Sequence, residues 1–476
     1  MIRQVIVVYR DDFSGVIQDG SKTKSSEEDE QFLSGIETVL RKLLGDYQGP
    51  FRTLGIPSTD WQVRLTQRPP RDLPSLERLV IGVGFRDPAD LNQFRKAVED
   101  VNDSARVQSK REPVLGVGAD LFLAETEYFC PATIDQILFG DRNAAASLTG
   151  SGLLKQRGLT GSGVNIVVID RGFDLTQVRH FGGGLANGDV EPGTTKRGHG
   201  LMLVRNIVDA APDAMFYDVP LIPTRITDVL GFICKALDFF NQLKQLIEFL
   251  RLLSVPPWDG PWVLVNAWSI FDRSSELPPG DYTGNPGHPF NVVVDAMVDD
   301  LIDLIFAAGN CGQFCPDRRC GKRDVGPGNS ILGANSHPRV LTTGAVRTDA
   351  RWLGSSSQGP GLLYRYKPDL CAPSGFREVG DASLGNLNEP YVGDTGSPYI
   401  ASTGTSAACG VAAGIVGAIR SGWDQRILSP DDLRQALNAH ARKTEGPGWK
   451  EHLGNGIIDV EATLAALSGR FHRSGQ

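Results

Sequence analysis

Four polar residues in this chain sit where a folded protein could use them together. Ser406 ends the small, hydroxyl-rich turn Ser402-Thr403-Gly404-Thr405 and opens a run of small and apolar residues from Ala407 to Ile419. Such a run predicts a buried helix, which would set a serine oxygen at the positive end of a helix dipole, with backbone N–H groups aimed at a developing oxyanion. Asp170 ends the apolar run Val164-Asn165-Ile166-Val167-Val168-Ile169. A continuous apolar run bounded by glycines reads as a buried parallel strand, and open α/β sheets keep their sites at strand C-termini. His199 lies between Gly198 and Gly200 at the start of a helical stretch. Asn310 closes Leu304-Ile305-Phe306-Ala307-Ala308-Gly309, where Ala307, Ala308 and Gly309 leave room for a bound side chain. Each residue also has an ordinary reading: an N-cap serine, a loop aspartate, a structural histidine, a turn asparagine.

The elements that must hold these residues follow from periodicity. Trp262 to Ser269 is a second buried strand, and Ala267, Trp268 and Ser269 would offer an edge to an extended peptide. Upstream, residues 3–9, 61–65, 79–85 and 114–123 read as strands. Helices are expected over 32–44 and from Pro88 to Val101. The order β-α-β-β-α-β predicts a small α+β ferredoxin-like domain over residues 1–124. Periodicity then fades, giving a linker over 125–151 with short helical pieces around Ile134 and Ala144. A second domain is expected over 152–476.

The second part resembles the subtilisin-like serine protease family, the subtilases. The matching strings are Val168-Ile169-Asp170, Gly198-His199-Gly200, Ala307-Ala308-Gly309-Asn310 and Gly404-Thr405-Ser406-Ala407-Ala408, in the family's order of Asp, His, Asn and Ser. Thr343-Gly344-Ala345-Val346, Lys367 to Pro373 and Gly454 to Val460 agree as well. The resemblance spans roughly Gly152 to Leu467. It implies an α/β fold with a subtilisin-like, mostly parallel sheet and helices on both faces. It also implies a serine endopeptidase in which Ser406 attacks, His199 carries the proton, Asp170 orients the histidine and Asn310 steadies the oxyanion. No cofactor is required; calcium or zinc stays open. Three residues depart from the family pattern: Arg171 after the aspartate, Leu201 after His-Gly, and Gly410 where a proline is usual. Alternatives from other classes are a catalytically idle fold that binds proteins, and an esterase using the same groups. The N-terminal domain resembles the subtilase pro-domain, which lays its tail in the active site; a recognition module is the alternative.

Other features set the surroundings. The chain has 476 residues, a net charge of −8 and 22% charged residues, which gives no reason to expect nucleic acid or a membrane surface as partner. The partners expected are a protein or peptide substrate and a regulatory protein bound by the N-terminal domain or by an apolar helix over 227–253, which carries more apolar surface than one contact face needs. The start of the chain reads as a strand rather than a signal peptide, and the seven cysteines then read mainly as free thiols of a cytoplasmic protein. Cys311, Cys315 and Cys320 beside Asn310 are read as free thiols, a disulfide or zinc ligands.

Overall fold

The computed structural model describes residues 1–17, 26–57, 61–126, 139–188, 190–196, 198–222, 232–378 and 401–471. The expected pieces around Ile134, Val229 and Leu230, and His472, lie outside these residues.

The chain begins with β1 (Ile2–Tyr9), α1 (Ser26–Leu43), β2 (Arg52–Gly55), β3 (Trp61–Leu65), β4 (Arg78–Phe85), α2 (Pro88–Val107) and β5 (Val114–Ala119). Four strands form an antiparallel sheet in the order β2-β4-β1-β5, the ferredoxin-like arrangement. Ile36 and Leu40 of α1 and Leu91, Phe94 and Val98 of α2 bury one face against Ile6, Val8, Ile81 and Val83. Asp87 caps α2 by accepting from the Ala89 N–H at 2.7 Å, with Pro88 at the first helical position.

One expectation is corrected. The strand at 61–65 is real but does not belong to this sheet. β2 takes its place beside β4, and β3 pairs antiparallel with β8 (His180–Asn187) at the edge of the large sheet. β2 is only four residues long, ends in Gly55 and pairs with a register shift, so its alternation is too short to read. The strand expected over 114–123 also stops at Ala119. There the chain turns, and the buried Asp120 carboxylate accepts from the Cys234 N–H at 2.8 Å and pairs with Arg3 at 3.0 Å.

The next elements are β6 (Ala124–Glu125), α3 (Arg142–Thr149), α4 (Gly152–Gln156), β7 (Asn165–Asp170), β8, α5 (His199–Ala210), β9 (Met215–Pro220), α6 (Ile233–Leu252), β10 (Trp262–Asn266) and β11 (Trp268–Ser269). After them come α7 (Pro289–Asp299), β12 (Ile302–Ala307), β13 (Leu341–Val346), β14 (Leu370–Pro373), β15 (Phe376–Arg377), β16 (Ala401–Ser402), α8 (Gly404–Arg420), α9 (Pro430–His440) and α10 (Val460–Arg470). The large sheet runs β14-β13-β12-β10-β7-β9-β8-β3 and is parallel except for β3. All six residues of β7 are buried, as a central parallel strand covered on both faces demands.

Side-chain alternation sends each strand's apolar residues to two cores. On one face Val164, Ile166, Val168, Val263 and Val265 meet α5, α8, α9 and α10. On the other, Val167, Ile169, Leu264 and Leu304 meet α6 and α7. Val5, Val7 and Val80 of the small sheet join this second core. That accounts for the surplus apolar surface of α6: the helix is clasped between two sheets, and its second stripe is covered within the chain. No described helix is long and apolar enough to cross a membrane.

α8 is held at both ends. At its C-terminus the fully buried Arg420 guanidinium makes a two-pronged pair with Asp303 at 2.6 and 2.7 Å. Along its length Gly410 and Gly414 lie against the backbone of Leu203 and Ile207 on α5. A Cβ on Gly414 would stand 2.7 Å from the Ile207 carbonyl oxygen, and one on Gly410 would stand 3.2 Å from that of Leu203. The departure at Gly410 thus has a packing reason: glycine lets the two helices approach.

Candidate active site

Strand ends and helix starts converge at the C-terminal edge of the large sheet. Asp170 ends β7 and His199 begins α5; both are buried. The His199 Nδ1 lies 2.7 and 2.8 Å from the two Asp170 carboxylate oxygens. This fixes the ring plane and leaves Nε2 as the nitrogen for a reacting proton. The α5 and α8 starts are tied by the Thr403 N–H, 3.3 Å from the Met202 sulfur, and by the Ser402 hydroxyl, which donates to the Asn206 side chain at 3.1 Å.

Gly404 has φ +65°, a left-handed conformation that L side chains disfavour, and it turns β16 into α8. Ser406 follows in the first turn of α8. Its Oγ lies 2.7 Å from the Thr126 Oγ1, with either oxygen able to donate, and 3.4 Å from the Ala267 carbonyl oxygen.

Asn310 follows β12 and the buried Ala307 and Ala308. Its Oδ1 accepts from the Thr405 N–H at 2.9 Å and from the Thr405 hydroxyl at 3.1 Å. Two donors on the oxygen fix the amide orientation and free Nδ2 to donate, which it does to the Thr126 carbonyl oxygen. Thr405 Oγ1 in turn accepts from the Gly309 N–H at 3.1 Å.

The occupant of this cleft is the chain's own segment 124–126. β6 pairs antiparallel with β11, Glu125 opposite Trp268 and Ala124 opposite Ser269. The Thr126 N–H donates to the Ala267 carbonyl at 2.9 Å. The edge Ala267-Trp268-Ser269, expected to hold an extended peptide, therefore holds this one. Asn335 Nδ2 braces the edge by donating to the carbonyls of Trp268 and Ala307, both at 2.8 Å.

Sequence reasoning named Asp170, His199, Asn310 and Ser406 and missed Thr126, Thr405 and Asn335. Thr405 stood inside a quoted motif, so its hydroxyl was the readable signal. Asn335 carried none, because its role depends on a loop returning from far along the chain.

The cysteine loop departs from its main expectation. Cys311 and Cys320 form a disulfide, and Cys315 is disulfide-bonded too, so none of the three is a free thiol or a thiolate available to zinc. Cys234, Cys371 and Cys409 are free and buried, and burial pushes the Cys409 thiol well above its usual range. No group of three His, Cys, Asp or Glu among the described residues is arranged to hold a metal ion.

Asp218 on β9 is buried beside Asp170. Burial pushes its carboxyl up to about 7; N–H bonds from Gly193 (2.8 Å) and Phe173 (3.3 Å) oppose the rise, and the Asp170 charge adds to it.

The fold and this convergence define the class: a subtilisin-like α/β enzyme fold. Residues 259–456 match the subtilase family (peptidase S8); that stretch holds Asn310 and Ser406, and Asp170 and His199 precede it. Fervidolysin from Fervidobacterium pennivorans, a keratinolytic enzyme related to subtilisin, is similar in structure with a TM-score of 0.52. The two are 14% identical, over 98% of this chain and 61% of that one. MycP1 from Mycobacterium smegmatis aligns with a TM-score of 0.49 and 19% identity, over 72% of this chain and 90% of its own. MycP1 from the ESX-1 type VII secretion system gives a TM-score of 0.47 and 18% identity, over 72% of this chain and 90% of its own. No curated protein matches the chain in sequence. The chain thus has a subtilisin-like fold, and over residues 259–456 it is similar to the subtilase family of serine proteases.

Proposed function

We propose that the chain is an endopeptidase whose catalytic groups are Asp170, His199 and Ser406, with Asn310 as oxyanion donor, and that segment 124–126 occupies the cleft as the acyl half of a substrate would. The observation that carries this is the Thr126 carbonyl. Its oxygen takes the Asn310 amide, and its residue is seated by the N–H bond to Ala267. A substrate peptide on the same edge would have its carbonyl polarised by a donor with no freedom to reorient. Ser406 Oγ would bond to that carbon as its proton moves to His199 Nε2. Collapse of the tetrahedral oxyanion breaks the C–N bond and the proton leaves on the amine. Water then repeats the sequence on the ester, releasing a carboxylic acid and restoring Ser406. Asp170 holds the ring and offsets the charge of the imidazolium.

The N-terminal part acts here as a built-in competitor. A tethered segment competes at roughly millimolar effective concentration. Its base is fastened by Arg95 to Asp281 at 2.6 Å and by the Ala119 N–H to the same carboxylate at 2.6 Å. The disulfide beside the site favours an oxidising compartment over the cytoplasm.

The test is Ser406→Ala in the full chain. Peptide hydrolysis and labelling by a small fluorophosphonate should fall to background while the thermal unfolding transition persists. Labelling that continues at the wild-type rate would refute the nucleophile, and a wild-type chain inert to both assays would favour an idle, peptide-binding fold.

A further inference from the structure

We propose that Arg171 and Arg319 form a subsite that selects an acidic side chain at the residue immediately before the one whose carbonyl is attacked. This rests on the endopeptidase reading above and adds a substrate class to it.

If Thr126 stands for the attacked residue, Glu125 stands for the one before it. Its carboxylate lies 2.7 Å from an Arg171 guanidinium nitrogen and 3.5 Å from one of Arg319, and Arg319 also donates to the Glu125 carbonyl oxygen at 3.0 Å. The Glu125 side chain is 14% exposed, so the carboxylate end of both contacts is partly withdrawn from water, while the two arginines keep part of their surface in solvent. A charge-assisted pair in such a place is worth more than one on the open surface. The two arginines come from separate and rigid places. Arg171 directly follows Asp170 at the end of β7, so the acidic side chain is held beside the catalytic dyad. Arg319 sits in the loop closed by the Cys311–Cys320 disulfide, stacked 4.2 Å over the Phe271 ring and paired with Asp317 at 2.7 Å. The fork is therefore built before any peptide arrives. One further group, His199, bears on the pocket's preference. His199 and both arginines lower the Glu125 carboxyl below its usual range against the opposing effect of burial. A lysine in the same place would face the guanidinium groups of Arg171 and Arg319.

The geometry thus points to peptides of the form small–acidic–hydroxyl before the cut, as in Ala124-Glu125-Thr126. The test uses the full chain carrying Glu125→Gln, which loosens the chain's own segment, and the chromogenic peptides acetyl-Ala-X-Thr-p-nitroanilide with Glu, Gln or Lys at X. The expected kcat/KM order is Glu over Gln over Lys, with about tenfold at the first step for a charge-assisted bond. Adding Arg171→Gln should bring the Glu peptide to within about twofold of the Gln peptide. Equal kcat/KM for all three peptides with both arginines in place overturns the subsite while leaving the protease reading intact. If no peptide turns over and fluorophosphonate does not label Ser406, the protease reading fails instead. The subsite is then decided by amide hydrogen exchange over residues 267–269. Faster exchange in Arg171→Gln and in Glu125→Gln, each against the otherwise native chain, upholds the pairing; unchanged exchange overturns it.

Discussion

Asp218 has no place in the reaction as written, yet it couples the site to pH. Its folded pKa lies above the usual carboxylate value, so between about 4 and 7 the folded chain holds a proton that the unfolded chain has lost. Stability from this group is present below the unfolded value and is lost as pH rises through about 7. At about 1.4 kcal/mol per pH unit the total is no more than about 4 kcal/mol. Asp218→Asn should therefore flatten the difference in unfolding free energy between pH 4 and pH 8, measured by denaturant titration at both. A variant whose pH dependence matches the wild type would show that Asp218 does not titrate in this range. Such a residue is not legible in sequence: nothing in Met215-Phe216-Tyr217-Asp218 marks that β9 lies beside β7. His199, Asn310 and Ser406 were legible because each is flanked by the small residues its setting needs, and Asp170 because it ends an unbroken apolar run. Glu125 and Thr126 read as the start of a linker and, through the pro-domain resemblance, of a tail laid in the active site; which residues they touch was not legible, since an occupant is recognised by its contacts.

At the scale of elements, the approach of α5 and α8 sets how far the helix starts bearing His199 and Ser406 stand from each other. The contact is lined by Gly410 and Gly414, so a methyl group there must move backbone rather than a side chain. Gly414→Ala is expected to cost about 1–3 kcal/mol in stability, read as a shift in denaturation midpoint. It should also lower kcat more than it raises KM, because the peptide edge at 267–269 lies away from this contact. A variant as stable and active as wild type would mean the helices have slack. β8 and β9 of the large sheet were not read, while β7, β10 and β12 were legible from their unbroken apolar runs. The assignment of 61–65 to the small sheet was not. A short alternating strand carries no label for the sheet it joins, and both sheets had an open edge. The excess apolar face on 227–253 was read from its spacing as a helix packed on the sheet, with a partner surface as the alternative; its described part packs on Val5, Val7 and Val80 of the same chain.

At the scale of the whole molecule, β3 deserves a kinetic reading. Five residues from the N-terminal part, Trp61 to Leu65, are laddered into the catalytic sheet against Leu185, Gly184 and their neighbours, and Val63 and Leu65 pack on its core. A cut after Thr126 would sever the backbone but not this ladder, nor the Arg95–Asp281 clasp. The two fragments would stay interlocked, as a nicked duplex stays paired until it is melted. Incubated wild type, if it cuts there, should run as two bands in denaturant and as one species on a sizing column. Separation should need conditions that peel an edge strand, such as about 2 M urea, and Val63→Pro should hasten it by removing a ladder donor or its geometry. A cut chain that falls apart at once in buffer would contradict this. The consequence is one of timing: breaking the chain and vacating the cleft are separate events, and the slower of them would govern when the enzyme becomes available to other proteins.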